Sequence, residues 1–255
     1  MTEQQQVPGA VRALQALRVL AASASPLPAA QLARTLGLPR STTYHLLAAM
    51  IEQGFVVHLP QERRYGLGVG AFEVGAAYTR QGPLQRLSRP VLARLVDDVH
   101  ENAHLAVLHG REVLYLVEER APGRAPLVTD VGVRLPAQLT ASGRAMLAGL
   151  PPAQVRALFG DPSTFVQRHG GGPTTLSQLR ALLRGVRAEG VAYEDGEVTP
   201  GFASVASAVL DPAGHPVAAV TVTFEQARIE PAARAGLAAA TARTAATLRR
   251  RLVGR

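Results

Sequence analysis

Apolar residues recur at helical spacing in three short segments of the first eighty positions. In the first segment Leu14, Leu17 and Leu20 form one stripe, with arginines outside it, which is typical of an amphipathic helix packed on one side. Between the second and third segments, Gly37 allows a positive φ and Pro39 resists continuation of the preceding helix, so a tight turn is expected there. The predicted helices cover residues 10–22, 29–36 and 40–53.

Two short extended segments follow the third helix. Residues 55–59 and 64–67 flank the polar residues 60–63, a pattern that predicts a β-hairpin. The order helix, helix, turn, helix, hairpin is that of a winged helix-turn-helix. A further helix is expected over residues 70–80, and Gly82-Pro83 ends it. We therefore place the domain boundary there, which gives domains of residues 1–82 and 83–255.

The second half of the chain mixes helical and strand patterns. Two pairs of neighbouring strand patterns are each separated by a short turn, and helical patterns surround them. This grouping predicts an α+β domain built on an antiparallel sheet. The predicted strands are residues 104–109, 112–118, 203–210 and 216–224; the predicted helices are residues 84–99, 145–150, 152–159, 176–189 and 231–252.

Composition narrows the class of protein. All 27 basic residues are arginine, against 19 acidic residues, so the net charge is +8. The arginine fork suits phosphate, which is compatible with nucleic acid, although codon bias alone produces the same composition. The absence of cysteine excludes disulfides, thiolate metal sites and cysteine nucleophiles. With no signal-peptide pattern and no apolar run of membrane length, a cytoplasmic protein is expected.

The start of the third helix carries the residues expected to contact DNA. With Leu47 and Met50 facing the core, the opposite face is exposed, and the first turn of such a helix presents side chains to base edges in the major groove. Hydroxyls and amides of that turn suit a phosphate. Arginines at the hairpin tip would meet the DNA backbone or the minor groove. The alternative is a capped helix with a solvated basic face. The predicted DNA-binding residues are Arg40, Ser41, Thr42, Tyr44, His45, Arg63 and Arg64.

These motifs carry a family resemblance. Residues 10–68, with LARTLGLPRSTTYHLLAAMIEQGFV at their centre and RYGLG at their end, resemble the DNA-binding domain of IclR-type transcriptional regulators. Downstream, VGVRLPAQLTASGRAMLAGLP and GVAYEDGEVTPGFASVASAVLDPAGHPVAAVTVTF resemble that family's effector-binding domain. The resemblance covers nearly the whole chain. It implies a GAF-like α+β effector domain, a linker helix, a homodimer or dimer of dimers, and a pseudo-palindromic DNA operator. One departure is His45, where the family usually has Arg.

Local sequence alone does not decide whether three polar segments of the second half form a ligand site. Ser142 lies where a loop enters a helix, which suits either an anion site or an ordinary N-cap. Thr221 and Thr223 share one face of a strand, which is either buried and in need of partners or simply solvent-facing. The acidic loop that contains Glu194 is either part of a site or merely solvated.

The resemblance implies a pocket for a small carboxylate with no cofactor and no metal. The backbone of Ala141 and Ser142, the carboxylate of Glu194 and three hydroxyls would hold the ligand, and three apolar residues would form a wall. Several positions depart from the family's pattern: 194 is often Asp, 204 often Cys, and 221 and 223 often Ser, while residue 137 is usually larger and residue 202 usually smaller. The implied effector-binding residues are Leu135, Ala137, Ala141, Ser142, Glu194, Phe202, Ser204, Thr221 and Thr223.

Two other functions compete with a ligand-responsive regulator. His100-Glu101-Asn102-Ala103-His104 matches the H-E-x-x-H signature of zinc hydrolases, which requires both imidazoles on one helical face. Here the helix is expected to end near His100, with a strand starting at His104, so the rings should not converge. The other alternative is a DNA-binding protein whose second domain only oligomerises. It predicts that no small molecule changes the affinity for DNA.

Overall fold

The computed structural model describes residues 7–124, 127 and 129–253, apart from the side chains of residues 78–81, 83 and 253. The chain divides into two compact units, Met1–Gly82 and Pro83–Arg255. The first unit contains helices α1 (Pro8–Ala21), α2 (Ala29–Leu36), α3 (Arg40–Glu52) and α4 (Val69–Gln81), and strands β1 (Leu27–Pro28), β2 (Val56–Leu59) and β3 (Arg64–Leu67).

The first unit is a three-helix core with a small sheet beside it. Gly37 ends α2 in the left-handed conformation, with φ of 64°, a backbone geometry that glycine adopts without steric cost. The core is formed by Leu20 of α1, Leu32 of α2 and Leu47 of α3, all buried. Strand β3 lies between β1 and β2, so the hairpin forms the wing of a winged helix-turn-helix.

The stripe expected on α1 is only partly correct. Leu20 is buried and Leu17 packs against the core, but Leu14 is 61% exposed. Ala16, which is fully buried, stands on the core side instead. Small residues allow α1 to pack closely, and the larger Leu14 side chain is left on the outer side.

A close backbone approach explains the glycines between the wing and α4. The amide of Gly68 donates to the carbonyl of Phe55 and that of Gly70 to the carbonyl of Gly54, each at 2.9 Å. A Cβ at Gly68 would collide with the Gly54 carbonyl oxygen. These two hydrogen bonds therefore hold the start of α4 against the short segment that follows α3.

The second unit contains a six-stranded antiparallel sheet in the order β6-β5-β4-β9-β8-β7. Its strands are β4 (Asn102–His109), β5 (Glu112–Glu119), β6 (Arg134–Pro136), β7 (Ala192–Asp195), β8 (Phe202–Leu210) and β9 (Pro216–Glu225). Its helices are α5 (Pro83–Val99), α6 (Ala141–Ala148), α7 (Pro152–Phe159), α8 (Leu176–Glu189) and α9 (Arg234–Val253).

Helices cover both faces of this sheet. On one face, α5 and α9 bury apolar side chains such as Leu95 and Leu248 against Val220 and Val222 of β9. On the other face, α6, α7 and α8 form a second core with Met146, Phe159 and Leu179. Because successive strand residues alternate between faces, Thr221 and Thr223 lie on the α6 side.

The predicted fold class, an N-terminal winged helix-turn-helix followed by an α+β domain with an antiparallel sheet, is confirmed. The sequence patterns placed most helices and all three predicted hairpins within a few residues of their bounds. They did not indicate β6 and β7, which pair at the two edges of the sheet. No helix in the described part of the chain is long and apolar enough to span a bilayer.

Candidate DNA-reading helix and effector cavity

Helix α3 presents one face to solvent. Arg40, Ser41, Tyr44 and His45 are all exposed, and Tyr44 is 53% exposed despite its aromatic ring. Arg40 and Tyr44 are one helical turn apart, as are Ser41 and His45, whereas the buried residues of α3 are Thr43, Leu47 and Met50. Since a helix of this diameter fits the major groove, this arrangement is suited to reading base edges.

The first turn of α3 also offers backbone donors. The first amides of α3 lack an intrahelical acceptor, as at any helix start. Pro39, which precedes the helix, provides no side-chain cap for them. Thr43, in contrast, is buried and its hydroxyl donates to the Pro39 carbonyl at 3.0 Å. Thr42 is half-buried beside this turn. Free amides and the helix dipole favour a phosphate there.

The two wing arginines differ in their surroundings. Arg63 is exposed and adopts a positive φ of 53° in the turn between β2 and β3. Arg64 is half-buried, and its guanidinium donates to the Pro26 carbonyl at 2.8 Å. Arg63 is therefore the freer of the two for contact with DNA, while Arg64 also fastens the wing to the segment before α2.

A narrow cavity lies on the α6 side of the larger sheet. Its volume is about 20 Å³, the space of about one water molecule. Six of the residues implied as effector-binding line it: Ala141, Glu194, Phe202, Ser204, Thr221 and Thr223. Six further residues complete the lining: Tyr115, Leu127, Thr129, Thr140, Val198 and Thr199.

Strand register explains why four of these side chains meet. Glu194 of β7 pairs with Ser204 of β8, and Ser204 pairs with Thr223 of β9. The Ser204 and Thr223 hydroxyls are 3.0 Å apart. Thr221, two residues before Thr223, shares its face. Its hydroxyl is buried and has no hydrogen-bond partner among the described residues, so a polar ligand atom would satisfy it.

Glu194 is the acidic residue of the cavity. Its side chain accepts a hydrogen bond from the Val198 amide at 2.9 Å, and the residue is only 4% exposed. Burial, together with the neighbouring charge of Glu197, raises the pKa of the Glu194 carboxyl to about 7. Near neutral pH the carboxyl is therefore often protonated, and a protonated carboxyl can donate to an anionic ligand.

The N-terminus of α6 faces the same cavity through Thr140 and Ala141. Thr140 caps the helix by accepting from the Gly143 amide at 3.0 Å. The N-cap considered for Ser142 is therefore wrong by two residues. The amides of Ala141 and Ser142, at the first two helical positions, have no intrahelical acceptor, and the helix dipole favours an anion near them.

Three implied residues do not line the cavity. Leu135 and Ala137 are buried in the apolar core beneath α6, where the backbone of Gly143 packs directly on Ala137. The Ser142 side chain turns inward, and its hydroxyl lies 3.3 Å from the Tyr115 hydroxyl. These residues support the wall of the cavity from behind.

Arg144 is a buried cation that the sequence patterns did not reveal. Its guanidinium donates to the carbonyls of Gln138 and Tyr193 at 2.9 and 2.7 Å and to the Glu197 carboxylate at 2.8 Å. It thereby fixes α6 to the edge of β7. The only sequence signal was its position in the first turn of a helix otherwise made of small and apolar residues.

The H-E-x-x-H match does not form a zinc site of the hydrolase kind. His100 follows the end of α5 with a φ of 56°, and His104 is fully buried in β4. Glu101 instead forms a two-point ion pair with Arg124, at 2.9 Å for each contact. Among the described residues no group of three or more metal-ligating side chains comes together.

Comparison with known families matches both units. Residues 9–60 match the IclR helix-turn-helix domain, and residues 76–250 match the domain described as bacterial transcriptional regulator IclR C-terminal. Together the two matches span most of the chain and leave no large segment of the described structure outside them.

Curated relatives are transcriptional regulators. The chain is 29% identical over 226 residues to the acetate operon repressor of Salmonella typhimurium. The aligned region covers 88% of this chain and 82% of that protein. It is 31% identical over 206 residues to the Pca regulon regulatory protein of Pseudomonas putida, covering 80% and 69% of the two chains.

Solved structures share the whole fold. An IclR transcriptional regulator from Alicyclobacillus acidocaldarius superposes with a TM-score of 0.83 at 22% identity, covering 96% of this chain and 98% of that one. An IclR homologue from Microbacterium hydrocarbonoxydans, solved with 4-hydroxybenzoate, superposes with a TM-score of 0.80 at 21% identity. The superposition covers 94% of this chain and 97% of that one. At these identities the likeness establishes the fold.

Proposed function

Because the chain belongs to the IclR family of bacterial transcriptional regulators, we propose that it regulates transcription in the cytoplasm in response to a small carboxylate. It has a DNA-binding helix-turn-helix and a C-terminal effector domain. The observation that carries the effector proposal is the convergence in one cavity of the α6 N-terminus, three hydroxyls and Glu194. That combination supplies donors to an anion from several sides.

In this proposal the α6 amides and the protonated Glu194 receive the effector carboxylate. Ser204, Thr221 and Thr223 supply hydroxyls, and Phe202 supplies an apolar contact. A likeness of fold to a homologue solved with 4-hydroxybenzoate is consistent with a carboxylate ligand. The cavity is narrow, with a volume of about 20 Å³, and in this proposal its walls move apart when a carboxylic acid binds. That movement is how occupancy would shift the conformational equilibrium.

The DNA-binding residues proposed are Arg40, Ser41, Thr42, Tyr44 and His45 on α3, with Arg63 and Arg64 on the wing. A family regulator of this kind reads a pseudo-palindromic operator when two copies are related by a two-fold axis. Helix α4, at the end of the DNA-binding unit, would transmit effector occupancy to the spacing of the two wings. The coupling free energy between effector and DNA can be no larger than the difference in the effector's binding free energy between the two arrangements of the wings.

Exposed apolar residues support a homodimer through the first unit. Val7 and Leu14 stand on one side of α1, and Val69 and Phe72 are exposed on α4, with Phe72 74% exposed. Contiguous exposed apolar side chains are suited to a contact with another protein. A second copy of the chain is the proposed partner, either as a dimer or as a dimer of dimers.

A thermal-shift screen against aliphatic, keto and aromatic carboxylic acids tests the effector proposal. A ligand at about one hundred times its Kd stabilises the protein by about 2.7 kcal/mol, which is a shift of several degrees. The shift should vanish in Thr221→Val with Thr223→Val and persist in Thr247→Val, a control on α9 at the opposite face of the sheet. A full response in the double variant would refute this cavity.

The same screen separates the competing proposal. If the second unit only oligomerises, no acid will shift the melting temperature or change DNA affinity, while operator binding persists. A ligand that shifts the melting temperature and alters DNA affinity supports the regulator.

A further inference from the structure

A second row of polar side chains crosses the sheet beside the cavity. Thr221 of β9 lies directly opposite His104 of β4, and His104 lies directly opposite Glu118 of β5. The row is adjacent to the one formed by Ser204 and Thr223 and lies on the same face, because residues two apart along a strand share a face. Opposed side chains have Cβ atoms about 4.5–5.5 Å apart, so these three are neighbours.

This row contains most of the unpaired buried polar side-chain atoms found among the described residues. In the part of the chain that the structure describes, four buried side-chain atoms lack a hydrogen-bond partner, and three of them are His104 Nδ1, Glu118 Oε1 and Thr221 Oγ1. Buried polar atoms are nearly always paired in folded proteins. Three in one row, at the edge of a ligand cavity, therefore indicate a site for a polar group.

One ring nitrogen of His104 has polar neighbours, and the other lacks a hydrogen-bond partner in the described part of the chain. Nε2 lies 2.9 Å from the Thr129 hydroxyl and 3.7 Å from Glu118 Oε1. His104 and Arg120 lower the pKa of the Glu118 carboxyl to about 2, so it is an anion at neutral pH. An anionic carboxylate only accepts, so Glu118 faces the Nε2 side of the ring. Nδ1, on the other side of the ring, has no hydrogen-bond partner among the described residues.

The walls of the cavity meet His104 on two sides. Thr129, its hydrogen-bond partner, lines the cavity. Tyr115, whose ring packs edge-on against the imidazole with centroids 5.6 Å apart, lines it as well. His104, which is fully buried, therefore lies behind the lining residues Thr129 and Tyr115 and is paired with Thr221, which also lines the cavity.

We propose that His104 and Thr221 form a second polar subsite of the effector cavity, and that it takes a hydroxyl group of the effector. The inference rests on the proposed carboxylate function and narrows it to hydroxylated carboxylic acids. A hydroxyl donates one hydrogen bond and accepts others. It can pair with Nδ1 whether that nitrogen is bare or carries a proton, and it can accept from the Thr221 hydroxyl, whereas a carbonyl oxygen pairs with Nδ1 only when Nδ1 carries a proton.

Matched acids that differ by one hydroxyl test the proposal. We would measure Kd by calorimetry for 4-hydroxybenzoate against benzoate and for lactate against propionate. Two added neutral hydrogen bonds predict that at least one hydroxylated acid binds about tenfold more tightly than its partner in the wild-type protein. In His104→Leu that preference should fall to about twofold or less, with little change in Kd for the acid without the hydroxyl.

Two polar replacements separate ligand contact from structural support. In His104→Asn the side-chain amide lies near the position of Nδ1, so a polar partner is kept there and the hydroxyl preference should survive. In His104→Gln the amide lies near Nε2, which preserves the support of Thr129 but leaves no polar partner at Nδ1, so the preference should be lost. His100→Asn is the matched control, because His100 is exposed with a φ of 56° that asparagine tolerates, and it should behave as wild type.

The outcomes distinguish this inference from the function on which it rests. Carboxylates that bind without any preference for the hydroxylated member overturn the subsite and leave the carboxylate effector intact. Rescue by His104→Gln but not by His104→Asn assigns His104 a structural role and also overturns the subsite. If no acid of either pair binds the wild-type protein, the subsite fails together with the proposed carboxylate effector.

Discussion

The buried carboxyl of Glu194 should make the stability of the protein depend on pH in an unusual direction. Its pKa is raised from 4.5 to about 7, chiefly because burial disfavours the charged form. Below pH 4.5 the folded and unfolded chains both hold the proton, so Glu194 contributes nothing. Between pH 4.5 and 7 the unfolded chain loses its proton first, so folding stability declines as the pH rises and levels off above pH 7.

The size of this effect follows from the two pKa values. Each tenfold change in proton affinity corresponds to about 1.4 kcal/mol, so a rise from 4.5 to about 7 corresponds to a loss of about 3 kcal/mol by pH 8.5. Glu194→Gln keeps an oxygen that can accept from the Val198 amide but removes the titration. The variant should match wild type at pH 4.5 and exceed it by up to about 3 kcal/mol at pH 8.5.

Thermal unfolding followed by far-ultraviolet circular dichroism at several pH values measures the difference, since the chain has no tryptophan. For a unit of this size, a difference of about 3 kcal/mol in the free energy of unfolding corresponds to a shift of several degrees in melting temperature. Glu189→Gln serves as the control, because Glu189 is exposed on α8 and should not change the pH dependence. Identical pH profiles for wild type and Glu194→Gln would refute the buried, protonated carboxyl and with it the donor proposed for the effector.

Three further substitutions have definite expected results. Arg40→Ala should weaken operator binding by about 1–3 kcal/mol if Arg40 contacts a base, or mainly flatten its salt dependence if it contacts phosphate; unchanged affinity and salt slope would exclude both roles. Arg144→Met should destabilise the second unit by about 3–5 kcal/mol in denaturant titrations, because it removes the cation paired with Glu197 and the donor to two carbonyls; a loss below about 1 kcal/mol would contradict the proposed structural role of Arg144. Phe72→Glu should lower the molar mass measured by light scattering if α4 contacts a second copy, and an unchanged mass would remove α4 from the interface.

The periodicity of apolar residues was sufficient to predict those helices and strands that pack against segments close to them in the sequence. The helix-turn-helix followed from apolar spacing and from the turn at Gly37, and alternation along β9 correctly put Thr221 and Thr223 on one face. Leu14 shows the limit of this reasoning. Its spacing matched the apolar stripe, but Ala16 provides the closer packing and Leu14 remains exposed.

The candidate site was only partly predictable because it is assembled from distant segments. Tyr115 and Thr129 reach the cavity through sheet pairing and through the course of the segment after β5. Neither has a local sequence signal. His104 stood out only as part of a metal motif, and its burial between Glu118 and Thr129 is a consequence of strand register. Glu194 looked like a loop residue, whereas pairing of β7 with β8 buries it.

The central claim is that one chain couples DNA binding to a carboxylate. The most direct measurement incubates genomic DNA fragments with the purified protein, with and without an acid identified by thermal shift, and sequences the retained fragments. We expect enrichment of sites with two-fold symmetry, and an occupancy that the acid changes for wild type but not for Thr221→Val with Thr223→Val. Retention without sequence preference, or occupancy that the acid changes equally in the double variant, would contradict it.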